Sequence, residues 1–162
     1  MKIFAIKKTA EEASSAAEHF LKLAEEVAYM VSRMTADALP STIQALRRKS
    51  SYIAAESDKI AKSAIIVIKN TTDAIMEVKF LRNGSLFYND RSAGWISKKI
   101  NISQKLELDQ IGIQIKKMAE TAQLDARKAA NLSNRTKAKL DIVRVKRHVG
   151  ASQRWQLIVT YV

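Results

Sequence analysis

The sequence predicts an α+β fold that is predominantly α: an elongated bundle of three long amphipathic helices with a small antiparallel sheet. Apolar residues recur at every third or fourth position over three long stretches, which is the period of an amphipathic helix. The 162 residues include one proline and four glycines, so few residues interrupt a helix. Apolar alternation near both ends of the chain predicts the sheet. The length predicts a single domain over residues 1–162.

The first eight residues predict a short strand. Apolar side chains would lie on both of its faces, so we expect other parts of the protein to cover it. Residues 9–12 read Thr-Ala-Glu-Glu, a capping box that predicts the start of the first helix at Thr9. Proline disfavours helical geometry in the residue before it, so Pro40 predicts the end of this helix at residue 39. The first helix is therefore predicted over residues 9–39.

The second helix, predicted over residues 41–78, has the clearest apolar stripe in the chain. A full helix from Ser41 to Leu81 would be about 60 Å long, which exceeds a compact domain of this size. The sequence therefore predicts a second copy or another helical protein covering the stripe, or a break near residues 70–72. Asn83-Gly84 between apolar residues predicts a hairpin after this helix. The stripe comprises Ile43, Leu46, Ser50, Ile53, Ser57, Ile60, Ala64, Val67, Thr71, Ala74, Val78 and Leu81.

The third helix is predicted over residues 103–140, and residues 95–108 fit either a helix or a strand. Its stripe weakens after Leu132, so the last turns are expected at the surface. Residues 141–162 predict a hairpin, with apolar alternation on both sides of a turn, and the N-terminal strand is expected to join it. The stripe comprises Leu108, Ile111, Ile115, Met118, Ala122, Asp125, Ala129, Leu132, Thr136 and Lys139.

The net charge of +12 is unevenly distributed along the chain. Residues 9–40 carry −4, whereas residues 41–162 carry +13. A basic body favours an anionic partner, with nucleic acid first and an acidic protein or membrane surface as alternatives. The charge could also be neutralised by the acidic first helix or simply be solvated.

The basic residues are concentrated early in the second helix, on the third helix and in the predicted hairpin. Aromatic residues suited to stacking on bases are few, so we expect contacts with phosphates rather than base reading. The function predicted is that of a non-enzymatic helical interaction protein that self-associates and presents this charge to nucleic acid. The basic residues on the third helix also include Arg135, Lys137 and Lys139. The expected phosphate contacts are Arg47, Arg48, Lys49, Lys116, Lys117, Arg127 and Lys128.

One alternative is a small, toxin-like ribonuclease that uses the predicted C-terminal hairpin. His148 would act as general acid or base there, and Arg144, Lys146 and Arg154 would stabilise the phosphorane charge on the same face. The other alternative is a structural component of a phage, secretion or pore-forming system, which predicts a large oligomer and no need for the basic residues.

Several classes of site are excluded by composition. The chain has no cysteine, which excludes disulfides and thiolate ligands. Its four glycines are far apart, which excludes a P-loop or a Rossmann turn, so no cofactor is expected. No metal site is expected either, because His19 and His148 are the only histidines and acidic residues such as Glu18 fit a solvated helix face. With no signal peptide or transmembrane stretch, a cytoplasmic location is expected.

Overall fold

The computed structural model describes the backbone of residues 2–35, 37–87 and 102–152. Three helices make up nearly all of these residues: α1 at Lys2–Ser32, α2 at Pro40–Phe87 and α3 at Ile102–Ser152. The described residues contain no strand. The prediction of three long helices is therefore right, and the prediction of a small antiparallel sheet is wrong. Side chains are described for residues 3–35, 37–77 and 107–143.

The N-terminal strand predicted at residues 1–8 is wrong, because α1 already begins at Lys2. Ile3 and Ala10 are both buried, and they belong to a seven-residue repeat that a helix places on one side. Thr9 lies inside this helix and is not its cap. Its hydroxyl donates to the carbonyl oxygen of Ala5 at 3.0 Å, one turn earlier. Burial along the helix thus outweighs the local capping pattern.

The first helix also ends earlier than predicted, at Ser32 instead of residue 39. Just beyond its end, the Arg33 guanidinium lies 5.0 Å from the centroid of the Tyr29 ring. Pro40 is the first residue of α2. Proline is well tolerated there, because the first N–H groups of a helix have no partner within it.

The hairpin predicted around Asn83-Gly84 is wrong, since α2 continues through both residues to Phe87. Asn-Gly favours a turn only as a local preference, and the surrounding structure can override such a preference. The rest of that prediction, and the choice between helix and strand at residues 95–101, lies outside the described residues. From residue 102 onwards this ambiguous segment is helical.

Helix α2 also continues through residues 70–72, where the sequence left a break in the helix open as an alternative. The Thr71 hydroxyl donates to the carbonyl oxygen of Val67 at 2.7 Å, and Thr72 donates to Ile68 at 3.1 Å. Such bonds to the preceding turn satisfy hydroxyl groups within a helix. Thr71 can therefore be fully buried at its predicted stripe position without an unpaired hydroxyl.

The C-terminal hairpin is wrong over residues 141–152, which form the end of α3. Leu140 is fully buried, and the half-buried Val143 packs against the same cluster of core residues. The apolar spacing of a helix therefore continues beyond residue 140, although Val143 and Val145 also fit the alternation of a strand. Residues 153–162 lie outside the described residues.

The chain divides into two compact units. Unit 1 comprises Met1–Ala16 and Ile60–Leu124, and unit 2 comprises Ala17–Lys59 and Asp125–Val162. Each unit contains part of α1, α2 and α3, and the single-domain prediction stays a prediction. The core of unit 2 is a cluster of buried residues from all three helices: Ala24, Val27, Val31, Ile43, Ile53, Ala129 and Leu140. Buried residues of unit 1 include Ile3, Ala10, Ala13, Ala64, Val67, Ala74, Ile115, Ala119 and Ala122.

The predicted stripe of α2 is confirmed wherever side chains are described. Ten of its twelve residues are described, and all ten are buried or half-buried. The remaining two, Val78 and Leu81, lie outside the described side chains. Because the chain itself buries these residues, covering the stripe is no longer a reason to expect a second copy or another helical protein.

The predicted stripe of α3 is half wrong. Ile115, Ala122, Ala129 and Thr136 are buried as expected, whereas Lys139 is exposed. The five remaining positions of the stripe are half-buried: Leu108, Ile111, Met118, Asp125 and Leu132. The residue immediately after each of five predicted positions is buried instead, which turns this part of the stripe by about 100° around the helix. These five buried residues are Gly112, Ala119, Ala126, Ser133 and Leu140.

Four of those five residues are small, which explains the error. The distance between packed helices depends on the side chains at the contact, and small ones allow close approach. At Gly112, an added Cβ would lie 2.3 Å from Cδ1 of Ile75 on α2. An assignment by hydrophobicity places the larger neighbours Ile111 and Met118 on the buried side of α3. Close packing of the helices instead buries Gly112 and Ala119.

Candidate nucleic-acid interface

The strongest candidate surface is the outward side of α3 in unit 2, which we call the α3 outer face. It lies opposite the buried positions Ala126, Ala129, Ser133 and Leu140. All of its side chains are exposed, and none is acidic or aromatic. The α3 outer face consists of Arg127, Lys128, Asn131, Asn134, Arg135, Ala138 and Lys139.

The charges of the α3 outer face are arranged along the helix axis. Lys128, Arg135 and Lys139 follow one another at intervals of seven and four residues, which keeps them on one side of the helix. At 1.5 Å per residue, these intervals correspond to about 10 and 6 Å. Arg127 and Asn134 form the opposite edge, again seven residues apart. A row of cations with this spacing can contact several phosphates of one backbone.

The basic side chains of the α3 outer face are available to a ligand. Within the described part of the chain, none of the four forms an ion pair. No ion pair joins the described parts of α1 and α3 in unit 2. Glu18 instead pairs with Lys22 on its own helix at 3.3 Å.

The predicted contact residues on α2 have different environments. Arg48 and Lys49 are exposed. Arg47, in contrast, donates from Nε to Oδ1 of Asp141 on α3 at 2.7 Å. This half-exposed ion pair connects two helices of unit 2 and occupies a side chain that the sequence assigns to phosphate binding.

The structure therefore assembles only part of the predicted contact set. Arg127 and Lys128 belong to the α3 outer face, whereas Lys116 and Lys117 belong to unit 1, where Lys116 is half-buried. Two further residues of the face, Arg135 and Lys139, were missing from the predicted contacts. Their spacing from Lys128 was the available signal, but it becomes informative only once the buried side of α3 is known.

The ion pair to Asp141 leads to a testable prediction. For a nucleic-acid ligand on the α3 outer face, Asp141→Asn should strengthen binding about threefold to tenfold, because it removes a negative charge beside the face and releases Arg47. The cost in stability should stay below about 1 kcal/mol, since the pair is half-exposed. Fluorescence anisotropy with a labelled DNA duplex measures the affinity. In an Arg47→Gln background the gain should shrink, and an undiminished gain would show that Arg47 does not contribute.

The hairpin predicted to carry the ribonuclease residues is replaced by helix α3 over residues 141–152. Residues 144–148 belong to helix α3 and not to a hairpin, and Arg154 lies outside the described residues. In a helix, positions four apart share a face whereas positions two apart do not. Positions 144 and 148 can therefore lie together, but position 146 cannot join them. The three positions 144, 146 and 148 therefore do not share one face, as they would on a strand.

Other candidate sites in the described part of the chain are weaker. Its side chains include no group of three or more histidine or acidic residues that could hold a metal ion. A groove of about 340 Å³ lies between α1 and α2 in unit 1, with Thr9, Asn70 and Asp73 among its lining residues. A single carboxylate in an open groove does not define a site. None of the described helical segments has an apolar stretch that could cross a membrane.

Comparisons with known proteins found no relative of this chain. The sequence matches no protein family, no curated protein and no solved structure.

Proposed function

We propose that this protein is a non-enzymatic helical binding protein whose α3 outer face binds the phosphate backbone of nucleic acid. One observation carries the proposal: Arg127, Lys128, Arg135 and Lys139 are exposed on this face without an ion-pair partner in the described part of the chain. Lysine and arginine contact phosphates directly, and their binding releases the counterions condensed on the nucleic acid.

The local charge pattern supports a binding role more than simple solvation. Solvated helices usually mix both signs of charge along their surface, as Glu18 and Lys22 do on α1. Between Asp125 and Asp141, however, α3 contains five basic residues and no acidic one. Such a segment repels itself unless an anion neutralises it, so it favours an anionic ligand.

The proposal predicts binding that depends strongly on salt. With three or four phosphates neutralised, log affinity should fall with log salt at a slope of about −3 for duplex DNA. Anisotropy titrations of a labelled, mixed-sequence oligonucleotide at several potassium chloride concentrations measure this slope. Absence of binding at low salt, or an affinity that does not change with salt, would overturn the proposal.

A further inference from the structure

We infer that the nucleic acid bound by the α3 outer face is duplex DNA, with α3 lying along the major groove. This inference rests on the proposed function and specifies its ligand. It depends on three features of the face: its shape, its two exposed amides and the absence of aromatic residues.

The shape of the α3 outer face matches a groove. The face lies on one continuous helix, and its residues 127–139 extend for about 18 Å along the axis. A helix with its side chains is about 10–12 Å wide, and the major groove of B-DNA is about 12 Å wide. The centre of the face carries the short side chains of Asn131 and Ala138, which allow the helix to approach closely.

The charged residues flank this centre in the way that a groove requires. Lys128, Arg135 and Lys139 form one edge, and Arg127 lies on the other. The major groove is bounded by a phosphate backbone on each side, so cations on both edges of an inserted helix can reach phosphates. A single strand offers one backbone and would use one edge only.

The amides of Asn131, at the centre of the face, and of Asn134, on the edge beside Arg127, can contact base edges. Both side chains are exposed, and neither has a hydrogen-bond partner among the described residues. An asparagine amide can donate to and accept from adenine in the major groove, and each good contact of this kind contributes about 1–3 kcal/mol of discrimination. The α3 outer face thus includes groups that can read bases as well as groups that bind phosphates.

The other nucleic-acid forms fit the face less well. Proteins that bind single strands usually stack bases on aromatic side chains, and the α3 outer face has none. Duplex RNA has a deep, narrow major groove that protein side chains cannot read. Both forms should therefore bind through charge alone and more weakly than duplex DNA.

The test compares duplex DNA, single-stranded DNA and duplex RNA of one mixed sequence at the same salt concentration. We expect duplex DNA to bind at least about tenfold more tightly than either other form, given the extra contacts in the groove. Asn131→Ala with Asn134→Ala should weaken duplex binding about tenfold and leave the salt slope unchanged, because no phosphate contact is removed. The matched control is Gln44→Ala with Asn70→Ala, which removes two exposed amides from α2 and should not change the affinity.

The outcomes separate this inference from the proposed function. Equal or tighter binding of a single strand or duplex RNA, with a steep salt slope, would overturn the duplex DNA assignment and leave phosphate binding intact. Equal effects of the two amide variants would also overturn it. If none of the three nucleic acids binds, the proposed function itself fails.

Discussion

Replacing Lys128, Arg135 and Lys139 with glutamine is expected to weaken binding to duplex DNA roughly a hundredfold at moderate salt. These residues form one edge of the α3 outer face and have no ion-pair partner in the described part of the chain. Each cation that binds a phosphate releases about 0.9 of a counterion, so losing three should make the salt slope less steep by about 2.7. Anisotropy titrations over a range of potassium chloride concentrations measure both quantities.

The chain offers a control with the same change in net charge. Lys7, Lys22 and Lys59 each pair with a glutamate on their own helix, at 4.0, 3.3 and 3.0 Å. Replacing these three lysines with glutamine also removes three positive charges, but from side chains that are already neutralised locally. We expect little loss of affinity. A loss equal to that of the α3 variant would show that total charge, and not the α3 outer face, determines binding.

Replacing Gly112 with valine is expected to lower the free energy of unfolding by about 3 kcal/mol. Gly112 is buried in unit 1, where an added Cβ would lie 2.3 Å from Cδ1 of Ile75. Overfilling a packed core usually costs about 1–3 kcal/mol, and the two additional methyl groups of valine have no space reserved for them. Urea unfolding followed by circular dichroism measures the change.

Two companion variants isolate the contact between Gly112 and Ile75. Gly112→Ala should remain within about 1 kcal/mol of the original protein, because the end of Ile75 can move and alanine favours a helix by about 1 kcal/mol. Ile75→Ala opens space opposite Gly112, so combining it with Gly112→Val should restore part of the stability. The double variant should therefore be more stable than the sum of the single effects predicts. Strict additivity would show that the two residues are not in contact.

Short-range sequence patterns failed at several places along the helices. The capping box at Thr9 and the turn signal at Asn83-Gly84 are both short-range preferences, and each lies inside a helix. Residues 141–152 could be read with either period, and Leu140 and Val143 show that the helical one is used. Preferences of this size, at most about 1 kcal/mol per residue, are smaller than the gain from burying a helix face.

The candidate interface was also predicted only in part. Its basic composition is visible in the sequence, and Arg127 and Lys128 were predicted as contacts. Which residues share the outward side of α3 was not predictable, because the buried side is shifted by one residue from the predicted stripe at Asp125, Leu132 and Lys139. The structure shows Lys139 exposed and Leu140 buried. A shift of one residue turns a helix by about 100°, which is enough to change the membership of a binding face.

The sequence alone predicted three long helices, the buried residues of the α2 stripe and an excess of positive charge over residues 41–162. These properties follow from a regular apolar repeat, scarce helix breakers and composition. The bounds of the helices, the buried side of α3 and the ion pairs of the cations became known only from the packed structure. Those properties depend on neighbouring helices, since small residues such as Gly112 and Ala119 are buried by close packing rather than by their own hydrophobicity.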